Sequence, residues 1–460
     1  MLDLTSFQLQ NPWRTGSYEA RPSIRRRLLD DLLDWLPQPD ILVVVGARQV
    51  GKTTLVQQLI EYLLAEDVAP QDIFYFNLDD LGLLDFFHSP VEFVRFVEAH
   101  GQGRAYIFID EIQRLENPGL FLKYVYDLKK PFKLIVTGSS SLEIQAKISE
   151  SLTGRKQLFH LFPFSFCEFV SARWPEFENA MSSAGLDDVE RALSFLREMD
   201  RLYAASLFDW FVEYAMYGGY PRVALEPNPQ RKIGHLKEIF TSYMQKDVKD
   251  FFRIENVAGY NNLLKLLAYQ IGNLVNVSEI ANTLGLNKAT VEKYLHLLEG
   301  TFMFKRLTPF YRNVRRELSK MPKVYALDLG LRNFAVGNFD SITLRGDRGE
   351  MVENFVFAEL CRIVASPNEL HYWRTQTKAE VDLILERPGV VLPIEVKFQP
   401  MTSPQGSRSY RSFLTTYRPE RGLVFTKDTL AQTHVMETEV VFLPAWTLVF
   451  SDVIARLCEL

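Results

Sequence analysis

The spacing of apolar residues along the chain changes character twice. Between residue 41 and about residue 170, short apolar runs of strand length alternate with stretches of helical character. The runs are ILVVV (41–45), DIFYFNL (72–78), AYIFID (105–110), KLIVTG (133–138) and QLFHLF (157–162). Parallel strands are joined by helices that cover both faces of their sheet. The pattern therefore predicts an α/β domain built on a parallel sheet that is flanked by helices.

The rest of the chain follows two other patterns. From about residue 171 to about residue 315 most strand signals are absent and the sequence predicts helices, whereas residues 316–460 return to a mixed α/β pattern. Polar stretches near 170–190 and 312–323 mark the expected boundaries. A chain of 460 residues is long enough for two or three domains. We therefore expect three parts, which are residues 1–175, 176–315 and 316–460.

Composition limits the classes of protein to which the chain can belong. The formal charge of −5 and the pI near 5.9 give no overall signature of nucleic-acid binding, so any such site must be local. Cys167, Cys361 and Cys458 are too far apart in sequence to suggest a disulfide framework or a zinc site, and they fit a reducing compartment. The first residues lack the order of a signal peptide, and no apolar run approaches the roughly 20 residues of a membrane-spanning helix. We expect a cytoplasmic protein without a membrane segment.

The stretch GARQVGKTT (46–54) fits the pattern G-x-x-x-x-G-K-[ST] of a phosphate-binding loop. It follows the first apolar run and precedes a helical stretch, which is the context that the motif requires. Gly46 and Gly51 would let the backbone curl around phosphates, Lys52 would reach the β- and γ-phosphates, and Thr53 would bind Mg²⁺. ATP and Mg²⁺ are thus the expected cofactors. The predicted nucleotide-binding residues of the loop are Gly46, Ala47, Arg48, Gln49, Val50, Gly51, Lys52, Thr53 and Thr54.

The stretch YIFIDEIQRL (106–115) supplies the second half of a nucleotide site. Asp110 ends an apolar strand and would hold Mg²⁺ through water. The adjacent Glu111 would orient or activate the attacking water. Another strand separates the two motifs in sequence, and a glutamate follows the aspartate. This order predicts that the strand at 133–138 lies between the loop strand and the Asp110 strand.

Two further polar residues are candidates for the same site. Ser139, in TGSSS (137–141), is either a sensor of the γ-phosphate or the cap of a serine-rich turn. Arg155, in SLTGRKQ (151–157), precedes the next predicted strand. It would either stabilise transition-state charge, in its own chain or on a neighbouring subunit, or be an ordinary surface arginine.

Residues 20–170 resemble the AAA-type ATPases, specifically the prokaryotic branch close to the signal-transduction ATPases. PFSFCEF (163–169) and YGGYPRV (217–223) extend the resemblance. In that branch a Gly-x-Pro in a helical lid closes over the nucleotide, and Gly219 and Pro221 match that motif. The resemblance implies ATP hydrolysis and leaves a homo-oligomer open.

The stretch VNVSEIANTLGLNKATVEKYLHLLEG (275–300) has the punctuation of a helix-turn-helix. Ser278 is expected to cap the first helix, Gly285 to make the turn and Asn287 to cap the second helix. With the β-rich segment that follows, the stretch resembles a winged helix. It would contact DNA or serve as a protein-interaction module. The residues that its second helix would expose are Lys288, Thr290 and Lys293.

Two basic clusters, at 25–27 and 312–316, accompany this region of possible DNA contact. Lysine and arginine side chains in such clusters bind phosphates through charge. A solvated helix face explains each cluster equally well.

The stretch EVDLILERPGVVLPIEVKF (380–398) predicts a β-hairpin. Proline and glycine at 388 and 389 suit the centre of a four-residue turn. Symmetric pairing about that turn would set Asp382 opposite Glu395, with Lys397 on the same face. Opposed carboxylates repel each other unless a cation lies between them. The sequence therefore predicts either a metal-binding cluster or the charged, solvated face of an ordinary hairpin.

Glu353, on the helical stretch at 349–364, lies on a partly apolar face and is a candidate third carboxylate. Together these residues resemble the PD-(D/E)XK nuclease superfamily, in which carboxylates bind Mg²⁺ and a lysine positions or activates water. YWRTQTKAEVD (372–382) also resembles the domain commonly fused to this ATPase branch. The resemblance implies Mg²⁺ or Mn²⁺ at Glu353, Asp382 and Glu395, and catalysis by Asp382, Glu395 and Lys397. A valine rather than a proline precedes Asp382, which departs from the motif.

Two functions are open on this basis. In the first, an ATP-hydrolysing module with the catalytic residues Lys52, Glu111 and Arg155 is coupled, through a helical lid and winged helix, to a DNA-binding, nuclease-like domain. In the second, the nuclease-like domain is inactive. The chain is then a nucleotide-dependent switch that recruits protein partners.

Overall fold

The structure is a computed structural model. It describes residues 4–16, 18–20, 22–139, 152–174, 176–177, 189–251, 254–310, 321–364 and 369–459. The described residues fall into two compact units. The first lies within Met1–Pro163 and Gly300–Phe302, and the second lies within Phe164–Glu299 and Met303–Leu460.

The first unit alternates strands and helices, as predicted. Its strands are β1 (Ile41–Val45), β2 (Ile73–Asn77), β3 (Ala105–Asp110), β4 (Phe132–Gly138) and β5 (Lys156–His160). Its helices are α1 (Leu4–Gln10), α2 (Leu28–Trp35), α3 (Lys52–Ala65), α4 (Leu81–Phe87), α5 (Pro90–His100) and α6 (Pro118–Asp127). Short 3₁₀ turns lie at Pro12–Thr15, Pro70–Asp72 and Ile112–Arg114. Each strand lies within two residues of a predicted apolar run. The strands β1 to β4 are buried along almost their whole length, and a strand buried on both faces must be apolar throughout.

The five strands form one parallel sheet in the order β2-β3-β4-β1-β5. The strand β4 therefore lies between β1 and β3, which confirms the predicted strand order. Every residue of β1 is buried. Because the strands are parallel, their carboxyl ends meet at one edge of the sheet. The loops that follow β1, β3 and β4 begin there, and ligands of open α/β sheets bind at that edge.

The second unit contains the helical region and the mixed α/β region. Its helices are α7 (Phe166–Ser171), α8 (Val189–Tyr217), α9 (Pro221–Ala224), α10 (Pro229–Ser242), α11 (Val257–Tyr269), α12 (Val277–Leu284), α13 (Lys288–Gly300), α14 (Leu329–Val336), α15 (Arg348–Ile363), α16 (Arg408–Tyr417) and α17 (Ser451–Glu459). A π-helix spans Tyr243–Phe251, and a 3₁₀ turn spans Ala445–Val449. Its strands are β6 (Phe304–Leu307), β7 (Lys323–Ala326), β8 (Leu370–Arg374), β9 (Glu380–Arg387), β10 (Val390–Lys397), β11 (Arg421–Thr426), β12 (Ala431–Val435) and β13 (Thr438–Pro444). The division of this unit at residues 175 and 315 stays a prediction, and both parts lie in one compact unit.

A six-stranded mixed sheet dominates the end of the second unit. Its order is β12-β13-β11-β10-β9-β8. The strands β9 and β10 form the predicted antiparallel hairpin, and β10 runs parallel to β11. Helices α15 and α16 both pack against the hairpin. The hairpin strands thus lie inside the sheet, away from its edges.

The segment 275–310 forms two helices followed by a strand, as its sequence predicts. Asn276, rather than Ser278, caps α12, because its side chain accepts hydrogen bonds from the backbone N–H groups of Ser278 and Glu279. The prediction for Ser278 was wrong by two positions. Gly285 makes the turn with φ of 64°, and Asn287 caps α13 by accepting a hydrogen bond from Thr290 N. The strands β6 and β7 pair in an antiparallel ribbon.

No helix in the described part of the chain combines the length and the apolar character that a membrane crossing needs.

Candidate functional site

The phosphate loop joins β1 to α3 at the carboxyl edge of the first sheet. Gln49 and Gly51 take φ values of 65° and 96°, in the left-handed region that favours glycine. Gly46 is required for a different reason, because a Cβ there would lie 2.3 Å from the Leu161 carbonyl oxygen. Both features bend the backbone tightly. A loop that wraps around phosphates needs this shape.

Lys52, the first residue of α3, is buried against the loop. Its Nζ donates hydrogen bonds to the carbonyl oxygens of Gly46, at 3.1 Å, and Ala47, at 3.2 Å. The same ammonium group lies 3.7 Å from Glu111 Oε1. The structure therefore brings the lysine of the first motif and the glutamate of the second motif together.

Asp110 ends β3 and is only 1% exposed. Its Oδ2 accepts hydrogen bonds from Thr53 Oγ1, at 2.6 Å, and from the Tyr75 hydroxyl, at 3.0 Å. Its Oδ1 accepts a hydrogen bond from the Thr137 hydroxyl. Burial and the charges of Asp110 and Glu111 raise the pKa of Tyr75, so that the phenol stays a donor. Three hydroxyl groups on three different elements thus fix this carboxylate.

The nucleotide site contains suitable ligands for Mg²⁺, which prefers oxygen donors. Thr53 and Asp110 already share a hydrogen bond through the two oxygens that the sequence assigned to the metal. These two residues would hold the ion, and the ion would supply positive charge beside the phosphates.

Glu111 and Ser139 are linked through Gln113. The Nε2 of Gln113 donates hydrogen bonds to Glu111 Oε2 and, at 2.9 Å, to Ser139 Oγ. Glu111 takes φ of 58°, which is uncommon for a glutamate, and its backbone N–H donates to Thr137 Oγ1 at 3.2 Å. Ser139 is buried. The structure therefore places the predicted sensor and the predicted base in one polar group.

Arg155 lies at the other edge of the sheet. It immediately precedes β5, whose first residue pairs with Ile41 at the start of β1, whereas the phosphate loop follows the end of β1. Its Nε lies 3.0 Å from Asp127 Oδ1. The structure thus does not bring Arg155 to the phosphate loop of its own chain.

Gly219 and Pro221 lie in the second unit, at the start of α9. The backbone N–H of Gly219 donates to Asp328 Oδ2 at 2.8 Å. A Cβ at Gly219 would lie 2.1 Å from the Phe164 carbonyl oxygen, so the close approach of these two segments requires a glycine. Closure of this motif over a nucleotide stays a prediction.

The hairpin of the second unit has the register that its turn predicts. Glu386 pairs with Val391 and Leu383 pairs with Ile394, and one further step places Asp382 opposite Glu395. Gly389 takes φ of 81° in the turn. Asp382 Oδ2 accepts a hydrogen bond of 2.8 Å from Val396 N.

Glu395 and Lys397 form an ion pair in which Lys397 Nζ lies 3.2 Å from Glu395 Oε1. Glu395 is 3% exposed, and its Oε2 accepts a hydrogen bond from Ser407 N. Burial and the charge of Glu353 raise the pKa of Asp382 well above its usual range. The interpretation as a solvated hairpin face thus does not hold for Glu395, whereas the side chain of Lys397 is 37% exposed.

Glu353, the predicted third carboxylate, binds protein groups. Its Oε1 accepts a hydrogen bond of 2.6 Å from the Tyr325 hydroxyl and lies 3.0 Å from Lys323 Nζ. Lys323 also lies 2.5 Å from Glu380 Oε1. Burial acts to lower the pKa of Lys323, but Glu353, Asp382 and Glu380 outweigh it and raise that pKa. The cation that lies beside Glu353 is thus the ammonium group of Lys323.

The carboxylates of the second unit do not form a ready metal site. Among the residues that the structure describes, no group of three or more His, Cys, Asp and Glu side chains has an arrangement that could hold a metal ion. Lys323 Nζ lies 3.0 Å from Glu353 Oε1, so this oxygen of the carboxylate is already paired with a cation. As they stand, these residues do not fit Mg²⁺ or Mn²⁺.

The helix α13 presents the expected basic residues. Lys288 and Lys293 are exposed and Thr290 is half-buried. Arg306 pairs with the acidic Glu292 and Glu299 at 3.1 and 2.7 Å. That pairing offsets one of the two acidic charges.

The basic clusters at 25–27 and 312–316 were the other candidates for binding phosphates. Arg26 is buried and donates hydrogen bonds to the carbonyl oxygens of Val50 and Phe162. It therefore braces the phosphate loop and is not available as a surface charge. The cluster at 312–316 lies outside the described residues.

Comparison with known families places the two motifs of the first unit in one domain. The family described as AAA domain matches residues 38–170, which include the phosphate loop, Asp110 and Glu111. Residues 38–170 form an AAA-type P-loop ATPase domain. Two domains of unknown function, DUF8612 and DUF4143, match residues 208–341 and 348–447.

Relatives along most of the chain come from distant organisms. An uncharacterized protein of Haemophilus influenzae is 26% identical over 434 residues, which cover 92% of this chain and 98% of that protein. An uncharacterized protein of Mycobacterium tuberculosis is 27% identical over 387 residues, which cover 82% of this chain and 74% of that protein. Each of these matches spans most of this chain.

Solved structures with partial similarity include ATPases. A Walker-type ATPase of Pyrococcus abyssi is 16% identical, with a TM-score of 0.39, and the match covers 69% of this chain and 99% of that chain. The ORC1 protein of Aeropyrum pernix, solved in complex with DNA, is 13% identical with a TM-score of 0.28, and the match covers 69% of this chain and 94% of that chain.

The sequence did not identify five polar residues that lie at the nucleotide site or at the carboxylate cluster of the second unit. Thr137 stands near the end of β4, two positions before Ser139, so its hydroxyl could have been expected near that of Ser139. Lys323 begins the apolar strand KVYA, where an isolated lysine is costly without a partner. The other three residues carry no comparable sequence signal. They are Tyr75, Gln113 and Glu380.

Proposed function

We propose that the chain binds ATP with Mg²⁺ and hydrolyses it in the AAA-type domain. One observation carries this proposal: Asp110 accepts a hydrogen bond from Thr53 while the adjacent Glu111 lies 3.7 Å from Lys52. The four residues that P-loop chemistry needs are therefore within reach of one another.

The contacts of Lys52 suggest how nucleotide binding would prepare the site. Its ammonium group now uses loop carbonyl oxygens and Glu111 as partners. Phosphate oxygens carry more charge than carbonyl oxygens and would take over these hydrogen bonds. Glu111 would then lose its cationic neighbour and become available to accept a proton from water or to orient it.

Release of phosphate from ATP tests the proposal. The wild-type protein should release phosphate only with Mg²⁺, and Lys52→Ala should bind ATP at least tenfold more weakly, because a charged hydrogen bond contributes about 1.5–3 kcal/mol. The exposed Glu116, in the same domain, offers Glu116→Gln as a control that should leave both quantities unchanged. Undiminished hydrolysis by Lys52→Ala would show that another site performs the reaction.

The position of Arg155 favours a role in a neighbouring subunit over a role in its own chain. It lies away from the phosphate loop of its own chain and pairs with Asp127 at the surface. We therefore propose that it acts only on a second copy. Mass measurement with and without ATP, compared with Arg155→Ala, tests this role. A protein that stays monomeric while hydrolysing ATP, or an Arg155→Ala variant with normal turnover, would remove it.

Contact with DNA through α13 is a second proposed property of the chain. Lys288 and Lys293 are exposed on the helix that a winged helix would present to the major groove. The double variant Lys288→Ala/Lys293→Ala should weaken duplex binding and reduce the salt dependence by about one phosphate contact per lysine. Lys237 and Lys265 are equally exposed on other helices. The corresponding double alanine variant is the matched control, and an equal loss in both variants would contradict a specific surface.

The sheet of the second unit supports two alternative functions. Asp382, Glu395 and Lys397 lie together, which favours an Mg²⁺-dependent nuclease. Glu353, Glu380 and Glu395 already form ion pairs. These pairs favour an inactive nuclease-like domain, and the chain is then a nucleotide-dependent switch that recruits protein partners. Because these residues do not fit a metal as they stand, we favour the switch.

A cleavage assay separates the two functions. Wild-type protein is incubated with single-stranded, duplex and branched DNA in Mg²⁺ or Mn²⁺, with and without ATP, beside Lys397→Ala. Cleavage that Lys397→Ala abolishes would establish the nuclease. The switch predicts that no substrate is cut, or that any cutting is the same in both proteins.

A further inference from the structure

Lys323 is a buried cation at the centre of the carboxylate cluster in the second unit. It is the first residue of β7, and its side chain is 2% exposed. Its Nζ lies 3.0 Å from Glu353 Oε1 and 2.5 Å from Glu380 Oε1. The ammonium group thus bridges α15 and β9. Burial of a lysine is costly unless it is paired, and here it is paired twice.

The charges of the cluster are nearly balanced without a metal ion. Its carboxylates are Glu353, Glu380, Asp382 and Glu395. Its cations are Lys323, Lys397 and Arg374, the last of which lies 2.8 Å from Glu380 Oε2. Four carboxylates and three cations leave at most one negative charge, and the raised pKa of Asp382 reduces that charge further. A divalent cation added to the intact cluster would leave a net positive charge in a buried place.

At least one oxygen of each of Glu353, Asp382 and Glu395 already has a partner in the protein. Glu353 Oε1 receives both Lys323 and the Tyr325 hydroxyl. Asp382 Oδ2 receives Val396 N, and Glu395 receives Lys397 and Ser407 N. Mg²⁺ binds oxygen at about 2.0–2.1 Å and tolerates little distortion. To bind Glu353 Oε1 it would have to displace the ammonium group.

We propose that Lys323 is the resident cation of this cluster and occupies the place that a divalent metal ion would need. The cluster is then a metal-free ion-pair core that joins β7, α15 and β9. This inference is independent of ATP hydrolysis in the first unit. It also predicts that removal of the ammonium group converts the cluster into a metal site.

Manganese binding to the nucleotide-free, full-length protein tests the inference, with Mn²⁺ followed by electron paramagnetic resonance. The variant Lys323→Met keeps a side chain of similar length without its charge. The exposed Lys265 gives the control Lys265→Met. We expect Lys323→Met to bind one Mn²⁺ at least tenfold more tightly than the wild type and the control. The added site should disappear in Lys323→Met/Asp382→Asn.

Two results would overturn the inference. One is a wild-type protein that binds one equivalent of Mn²⁺ which Asp382→Asn abolishes. The other is a Lys323→Met protein that folds with a native circular dichroism spectrum and gains no Mn²⁺ site. Each result concerns a metal, so failure here is distinguishable from failure of ATP hydrolysis.

A thermal measurement decides the matter if Lys323→Met does not fold. In a metal-free cluster, Asp382→Asn keeps this buried group neutral and keeps an acceptor for the Val396 N–H, so it should not lower the melting temperature, with Mg²⁺ or with chelator. A melting temperature of the wild type that falls with chelator, and a destabilised Asp382→Asn protein, would instead show a bound metal.

Discussion

The hydroxyl of Thr53 donates a hydrogen bond of 2.6 Å to the Oδ2 atom of Asp110. The two residues lie 57 positions apart in sequence. The contact joins the start of α3 to the end of β3, although β4 lies between β1 and β3 in the sheet. It therefore unites the two motifs of the AAA-type domain, and the remaining side chains of the site are arranged around it.

The Tyr75 hydroxyl should position Asp110 for catalysis. It donates a 3.0 Å hydrogen bond to the same Asp110 oxygen that Thr53 uses. Tyr75→Phe removes this bond and should cost about 1 kcal/mol, or a fall in kcat of roughly five- to tenfold. A titration of Mg²⁺ against turnover checks the prediction, since a misplaced Asp110 requires more Mg²⁺. Normal turnover of Tyr75→Phe at limiting Mg²⁺ would show that the Tyr75 hydroxyl does not position Asp110.

Gly46 should be indispensable to the phosphate loop. A Cβ at this position would lie 2.3 Å from the Leu161 carbonyl oxygen, so Gly46→Ala must move the loop or β5. We expect loss of ATP binding and a lower melting temperature. Gly234, inside α10, has no atom within 4 Å of an added Cβ. Gly234→Ala is therefore the control, and it should be neutral or stabilise the protein by up to about 1 kcal/mol. Equal behaviour of the two variants would contradict the close packing at Gly46.

Asp347 should make stability fall in acid. Arg345 donates to both of its oxygens and, with Arg332 nearby, lowers the pKa of Asp347 to about 2. Because the folded value lies below the unfolded one, the stabilisation is present above about pH 4 and is lost as the pH falls towards 2. Since the carboxylate is partly exposed, its contribution is about 1 kcal/mol.

Urea unfolding at several pH values checks this prediction. Asp347→Asn should be less stable than the wild type at pH 7, and the difference should shrink between pH 4 and pH 2. A difference that does not change with pH would show that Asp347 stabilises the fold by packing alone.

The three cysteines should not react in the folded protein. Cys167, Cys361 and Cys458 are buried thiols, and burial raises the pKa of Cys361 to about 12. The thiolate is the reactive form. A thiol reagent such as Ellman's reagent should therefore label no cysteine at pH 8 until urea unfolds the chain. Labelling within minutes under native conditions would contradict the burial.

Local patterns predicted the first unit well. The phosphate loop could be recognised from its neighbours in sequence, since a buried strand precedes it and a helix follows it. The order of the strands followed from the position of Asp110 and Glu111 relative to that loop. Tyr75 and Gln113 could not be predicted, because tertiary packing alone brings their side chains to Asp110 and Glu111. Ser278 shows the same limit at short range, since Asn276 two positions earlier competes for the same cap.

The hairpin shows both the strength and the limit of register arguments. Turn geometry predicted symmetric pairing about the turn at 388 and 389, and the strands adopt it, since Glu386 pairs with Val391. It could not reveal that Lys323, far away in sequence, pairs with Glu353 and Glu380. Period-two alternation also predicted one apolar face, whereas helices cover the sheet and bury Glu395 as well. The chemical meaning of the cluster therefore depends on a residue that the hairpin does not contain.

The proposed hydrolysis of ATP depends most directly on Glu111 as the residue that makes water reactive. The decisive measurement compares ATP affinity with steady-state phosphate release for the wild type and Glu111→Gln. Glutamine keeps the shape of the side chain and loses the charge that pairs with Lys52. The account predicts wild-type or tighter ATP binding with turnover reduced at least a hundredfold, as expected when a general base is removed. Turnover that persists at the wild-type rate in Glu111→Gln would contradict it.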